Sequence, residues 1–235
     1  MKFACSWAFV SVVAFLSISG SAQATLVGRD LGGTAEFDAY YDTELNISWL
    51  ADTHALGIVT SLAQGRAAVG MLDVFGVAGW RLPKVTPINA AFTFDPNIDV
   101  TYNGSFEQGF DITDPGGEIS HLYYVTLGNK GYFNTGGVPQ SDFGWANAGT
   151  FLNIPINLGD PSGPNEVYIY DTVYNGLDFA FYTLTGAQGF VGLDTGGRPW
   201  AVHDGDVGEI PEPSKTLLLL AGLGIPLSRS NRRAG

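Results

Sequence analysis

Three kinds of side chain in this 235-residue sequence have types and spacings that could do chemistry: histidines, paired aspartates and clustered aromatics. His54, His121 and His203 are the only histidines, and no two lie close in sequence. A zinc site needs three or four protein ligands at fitting spacing, and the sole cysteine is Cys5. Neither a metal site nor a cofactor is therefore expected. Asp95-Pro96-Asn97-Ile98-Asp99 offers oxygens at alternate positions, as calcium loops do. Its sixth position is Val100 instead of glycine, and its twelfth is Phe106 instead of glutamate, so it fails the EF-hand pattern. Asp204-Gly205-Asp206 is a second acidic pair. Each of these segments reads as a weak calcium loop or, more plainly, as a solvated turn. No G-x-S-x-G or comparable nucleophile signal occurs, and no catalytic residue is expected.

Tyr123, Tyr124, Tyr132, Phe133, Phe143 and Trp145 are candidates to stack on sugar rings where exposed or, as most aromatics do, to fill a core. In Gly79-Trp80-Arg81-Leu82-Pro83, Arg81 either holds a carboxylate ligand or closes a structural ion pair. Trp80 and Leu82 read as core anchors, as does Trp49.

These residues need elements to position them. Glu36 to Asp42 and Leu45 to Leu50 alternate across the turn Asp42-Thr43-Glu44 and predict a hairpin. Ser61 is placed to cap a helix running to about Val74, which Gly65 and Gly70 weaken. Residues 84–116 form a long excursion with short strands at Ala91–Phe94 and Val100–Tyr102. Asp114 and Pro115 predict the start of a second helix, with Ile119, Leu122, Tyr123 and Thr126 on one face and Gly128 at its end. Residues 28–33 and 129–165 read as loop. Strands follow at Val167–Tyr170, Leu177–Leu184, Gln188–Leu193 and Pro199–Val202. The order β, α, long loop, α, β predicts a single α+β domain whose termini meet in one sheet.

The ends have a different character. Met1-Lys2, the apolar run Trp7 to Ile18 and the small-x-small site Ala22-Gln23-Ala24 read as a secretory signal peptide, residues 1–24, cleaved before Thr25. Pro211-Glu212-Pro213, the apolar run Thr216 to Leu227, and then Arg229, Arg232 and Arg233 occupy residues 211–235. The run is shorter than the roughly 20 apolar residues of a bilayer span, and the arginines would hold its tail on the cytoplasmic side. The body between, residues 25–210, keeps 6 of the 11 Lys+Arg and 22 of the 23 Asp+Glu, so it carries about −16. A surface of that sign repels phosphate backbones and anionic lipid, and no nucleic-acid partner is expected. A glycan ligand would be neutral and held by stacking, or anionic and bridged by calcium. The body has no cysteine, so its stability must come from packing alone.

The C-terminal arrangement resembles the PEP-CTERM sorting signal of Gram-negative bacteria. Four internal segments, in order, resemble secreted PEP-CTERM proteins with an Lcl-type domain: Asp42 to Asp52, Gly79 to Pro83, Glu118 to Asn129 and Trp200 to Val207. The chain departs from that pattern at Leu62 and Val69, where tryptophans are usual, at Val167 to Tyr170, where a Y-W-S-G strand is common, and at His203, where an arginine is expected. The resemblance implies a C-type-lectin-like fold for residues 25–210, export to the cell surface or extracellular matrix, and processing by an exosortase during transient contact with the inner membrane. It implies a non-enzymatic role in a matrix or biofilm, with exopolysaccharide as the ligand. The alternatives it leaves are an enzyme of the lectin-like fold related to the sulfatase-modifying oxidases, whose chemistry depends on cysteines or copper, and a purely structural coat protein.

Overall fold

A computed structural model describes residues 25–32, 36–160, 162, 166–193 and 196–208. The residues expected to form a signal-cleavage site, Ala22 and Ala24, and those expected to form a sorting signal, Pro211, Glu212, Pro213, Arg229, Arg232 and Arg233, lie outside these. Among the described residues no helix is long and apolar enough to cross a membrane. The architecture is mixed, with two antiparallel sheets and little helix.

The first sheet has the order β1-β2-β3-β7: Leu26–Arg29, Ala39–Asp42, Ile47–Leu50 and Val202–Asp204. The predicted hairpin is β2 and β3, with Tyr40 opposite Trp49 and Asp42 opposite Ile47. Its turn is set by Asp42, whose Oδ1 accepts from the amides of Glu44 and Leu45 at 3.0 and 3.2 Å, and by Asn46, whose φ of 53° is one that asparagine tolerates. All of β3 is buried, not one face of it. Trp49 packs against Trp200 in a tilted arrangement at 4.9 Å, and on the opposite face Ser48 donates to the Gly205 carbonyl. The predicted loop from Gly28 is in part β1, which pairs with β2 from Leu26↔Asp42 to Arg29↔Ala39. The last strand starts three residues later than expected, at Val202 opposite Trp49. The two ends of the body thus share one sheet, as predicted.

The second sheet is the meander β4-β5-β6: Val167–Tyr174, Leu177–Tyr182 and Ala187–Val191. Helix α1, Leu62–Gly70, lies on β4. Its cap is Ser61, whose side chain accepts from the Gln64 amide at 3.3 Å. Gly65 costs helix propensity, yet it is the contact point: a Cβ there would lie 2.5 Å from Ile169 Cδ1.

The second helix departs from expectation. Helix α2 is only Glu118–His121, and Leu122–Thr126 continue it as a π-helical turn. The segment after Asp114 has other partners. The Gly116 carbonyl accepts from the Thr86 amide at 2.8 Å and the Glu118 amide donates to the Lys84 carbonyl at 3.1 Å, so Pro115 sits in a turn and not in a helix. The predicted strands at Ala91–Phe94 and Val100–Tyr102 are absent; Thr101 alone bridges to Gly109.

In the core, Trp49, Trp145, Trp200, Tyr168, Phe179 and Phe181 are fully buried. Trp80 is 3 % exposed and donates its indole N–H to the Val77 carbonyl. At about 25 cal/mol per Å², large aromatics of this kind carry the stability that a body without disulfides needs.

Candidate functional site

The charged residues are mostly occupied with one another. Arg29 pairs with Asp206, Arg66 with Asp171, Lys130 with Asp142 and Arg198 with Glu166. Arg81 meets Glu118 through two hydrogen bonds of 2.9 and 2.7 Å and Asp204 through one of 2.8 Å. It is therefore a structural ion pair and not a ligand clamp. Burial acts to lower the Arg81 pKa, but the bonds to Glu118 and Asp204 outweigh it and hold the guanidinium charged. Of the cations Arg66, Arg81, Lys84, Lys130 and Arg198, all but Lys84 are matched to carboxylates among the described residues.

The acidic segments are likewise internally committed. Asp204 goes to Arg81 and Asp206 to Arg29, and these bonds lower both carboxyls below the usual range. Asp95 Oδ1 accepts from the Asn97 amide, and Asp99 Oδ2 accepts from the Asp95 amide at 2.7 Å. The Asp95 segment is thus capped by its own carboxylates, and the Asp204 segment, at the end of β7, is held by two arginines.

The histidines are dispersed. His54 Nε2 lies 2.8 Å from Glu166. His203 meets Trp80 edge to face at 5.7 Å. His121 Nδ1 lies 2.7 Å from the Thr113 carbonyl, so that nitrogen carries the proton. No cluster of three or more His, Cys, Asp or Glu is placed to hold a metal among the described residues.

The aromatics divide. Tyr123, Phe143 and Trp145 are core, at 0, 3 and 0 % exposure. Tyr124 is held by a hydrogen bond from its hydroxyl to the Gly186 carbonyl. Tyr132 and Phe133 reach the surface and continue a chain of rings out of the core. Tyr132 packs on Phe143 and Phe133 at 4.9 and 4.8 Å. Phe133 then meets Tyr102 and Phe110 at 5.2 and 5.1 Å. Tyr102 and Phe110 were not among the sequence candidates. Their rings are parallel within 8°, and Tyr102 is 38 % exposed.

Beside this ledge is a cleft of about 200 Å³, bounded by Asp111, Tyr124, Lys130, Phe133, Asn134 and Gln140. Backbone bonds fix which way its amides face. Asn134 Oδ1 accepts from the Gly136 and Val138 amides, which leaves Nδ2 as a donor. Gln140 Nε2 donates to the Gly131 carbonyl, which leaves Oε1 as an acceptor. Asp111 adopts φ 53°, and its carboxylate makes no side-chain hydrogen bond or ion pair among the described residues. Burial alone raises its pKa. Burial raises the Tyr124 phenol, a hydrogen bond with the Asp111 backbone opposes this, and the Asp111 charge adds to it. A half-buried carboxylate with no partner is costly unless a ligand completes it.

Two larger hollows are less suited to a ligand. One, of about 580 Å³, holds Glu166 and Arg198, but Glu166 is already shared by His54 and Arg198 at 2.8 and 2.9 Å. The other, of about 680 Å³, lies over Phe94, Asp95 and Tyr174, and there the Tyr174 hydroxyl is spent on the Phe94 carbonyl.

Sequence reasoning passed over Asp111, Asn134 and Gln140. The run Asn134-Thr135-Gly136-Gly137 is a visible turn signal, but nothing local shows that it folds beside Phe110-Asp111. No family model matches the chain, and no curated protein or solved structure matches it either.

Proposed function

We propose that this chain is a non-enzymatic protein, exported and then sorted to the cell surface or extracellular matrix, whose C-type-lectin-like body binds exopolysaccharide in the Asp111 cleft. Its partners on the way are the inner membrane and an exosortase, which acts at Pro211-Glu212-Pro213.

The observation that carries the binding reading is the ledge of Tyr102 and Phe133, backed by the buried Phe110, beside an unpartnered carboxylate and two oriented amides. Aromatic faces take the apolar face of a sugar ring, and a few convergent polar groups fix its hydroxyls. The cleft is smaller than the roughly 300–1,000 Å³ of a pocket that encloses a small molecule, which suits one residue of a polymer whose remainder stays outside.

The lectin-like reading is supported by where the resembling segments go. Arg81, Glu118 and Asp204 come from three of them and form one ion cluster, and Trp49 of the fourth pairs with Val202.

The test is a glycan array probed with the purified protein, with and without calcium. Binding to a defined glycan class that Phe133→Ala abolishes is the expected result. A blank array in both conditions would exclude the reading.

A further inference from the structure

Resting on the glycan reading, we propose that the cleft selects an amino sugar, with its ammonium on Asp111 and its ring against Phe133. The polar groups left open in the cleft are the Asp111 carboxylate and Gln140 Oε1 as acceptors, Asn134 Nδ2 as a donor and the exposed Thr135 hydroxyl, which can do either, so the one charge there without a partner belongs to an acceptor. A charged acceptor is complemented by a donor-rich ligand. A sugar with only hydroxyls would satisfy Asp111 by neutral donors. A primary ammonium brings three donors and the opposite charge, and charge-assisted bonds are about twice as strong as neutral ones.

The surroundings favour a cation as well. Lys130, the cation on the cleft wall, is bonded to Asp142, so it does not neutralise Asp111. The body carries 22 acidic against 6 basic side chains, which raises the local concentration of a polycation and excludes a polyanion. Phe133 adds a ring face on which an ammonium or the C–H face of a sugar gains further attraction.

The backbone supports the same assignment. Asp111 holds a left-handed φ of 53°, a conformation that costs energy outside glycine and is best tolerated by Asp and Asn. It follows Phe110, whose amide donates to the Thr101 carbonyl at 2.9 Å, so the ledge and the carboxylate are fixed by one short segment.

The experiment is calorimetric titration of the purified full chain with three probes near neutral pH. They are a glucosamine oligomer, an N-acetylglucosamine oligomer of equal length, and a lysine peptide of equal charge. The free-amine oligomer should bind roughly tenfold to a hundredfold tighter than the acetylated one. Asp111→Asn, which keeps the backbone preference, should remove that difference, and Phe133→Ala should weaken both sugars alike. Equal affinity for the two oligomers, or a preference that survives Asp111→Asn, overturns the amino-sugar assignment and leaves glycan binding standing. A lysine peptide bound as tightly as the glucosamine oligomer also overturns it, since charge alone would then suffice. Failure of both sugars to bind overturns the amino-sugar assignment too, while the glycan array decides the glycan reading separately.

Discussion

Arg81 and Glu118 face each other in a two-bond pair whose side chains are 17 and 13 % exposed. Glu118 Oε2 also accepts from the Lys84 amide at 2.7 Å, so the carboxylate orients both the guanidinium and the strand-like segment next to it. Removing one partner of such a pair leaves an uncompensated charge out of water, at a cost of about 3–5 kcal/mol. Arg81→Ala and Glu118→Ala should each lower stability on that scale in urea unfolding. Arg81→Lys should rescue only part of it, because an ammonium cannot match both oxygens. A loss below about 1 kcal/mol for either alanine variant would show that the pair is solvent-screened.

The core tryptophans give a second expectation. Trp49 and Trp80 are 0 and 3 % exposed. Truncating either to alanine should cost about 3–5 kcal/mol, read as a shift in the denaturation midpoint at constant slope. Glycan affinity of the folded fraction should not change, because neither ring reaches the Asp111 cleft. Normal stability with lost binding would place that ring in a site.

Acid stability separates two kinds of aspartate. Arg29 holds the Asp206 carboxyl below its usual pKa, so its contribution is full above the unfolded value near 4 and is lost as pH falls through the lower folded value. Asp111 has the opposite sign. Its folded pKa is raised, so its ionised form destabilises the fold above that pKa, and the penalty disappears below about pH 4. Asp111→Asn should therefore be more stable than the parent at neutral pH and indistinguishable from it in acid. Thermal unfolding across pH measures both, and a neutral-pH loss of stability in Asp111→Asn would contradict this account.

Sorting makes a prediction about mass. Protein recovered from the culture of a cell that has an exosortase should lack Met1 to Ala24 and the residues that follow Pro211-Glu212-Pro213. Intact mass spectrometry checks both ends at once, and recovery of the full-length chain would exclude processing.

Local signals explain what could be read from the sequence. The β2–β3 hairpin was visible because Glu36 to Asp42 and Leu45 to Leu50 alternate across the turn at Asp42, and α1 because Ser61 caps it. The start of α2 was misread because Asp114-Pro115 carries a good local signal that long-range pairing of residues 116–118 with 84–86 overrides. Strand β1 was missed because its Gly28-Arg29 end has no alternation, and only pairing to β2 makes it a strand. The cleft was hidden for a similar reason. Asp111 and Asn134 are ordinary turn residues in sequence, and only the packing of Phe110 on Phe133 brings them together.

The first sheet has a kinetic consequence. Ser48 on β3 accepts from the Val207 amide, a contact spanning 159 residues, and β3 pairs on one side only with β7. A chain made or threaded from its N-terminus carries an unpaired β3 edge until nearly the whole body has emerged. Closing a loop of this length is slow compared with local hairpin formation. The body should thus complete its tertiary structure only after the final strand is delivered, which leaves that edge exposed to aggregation in the interval.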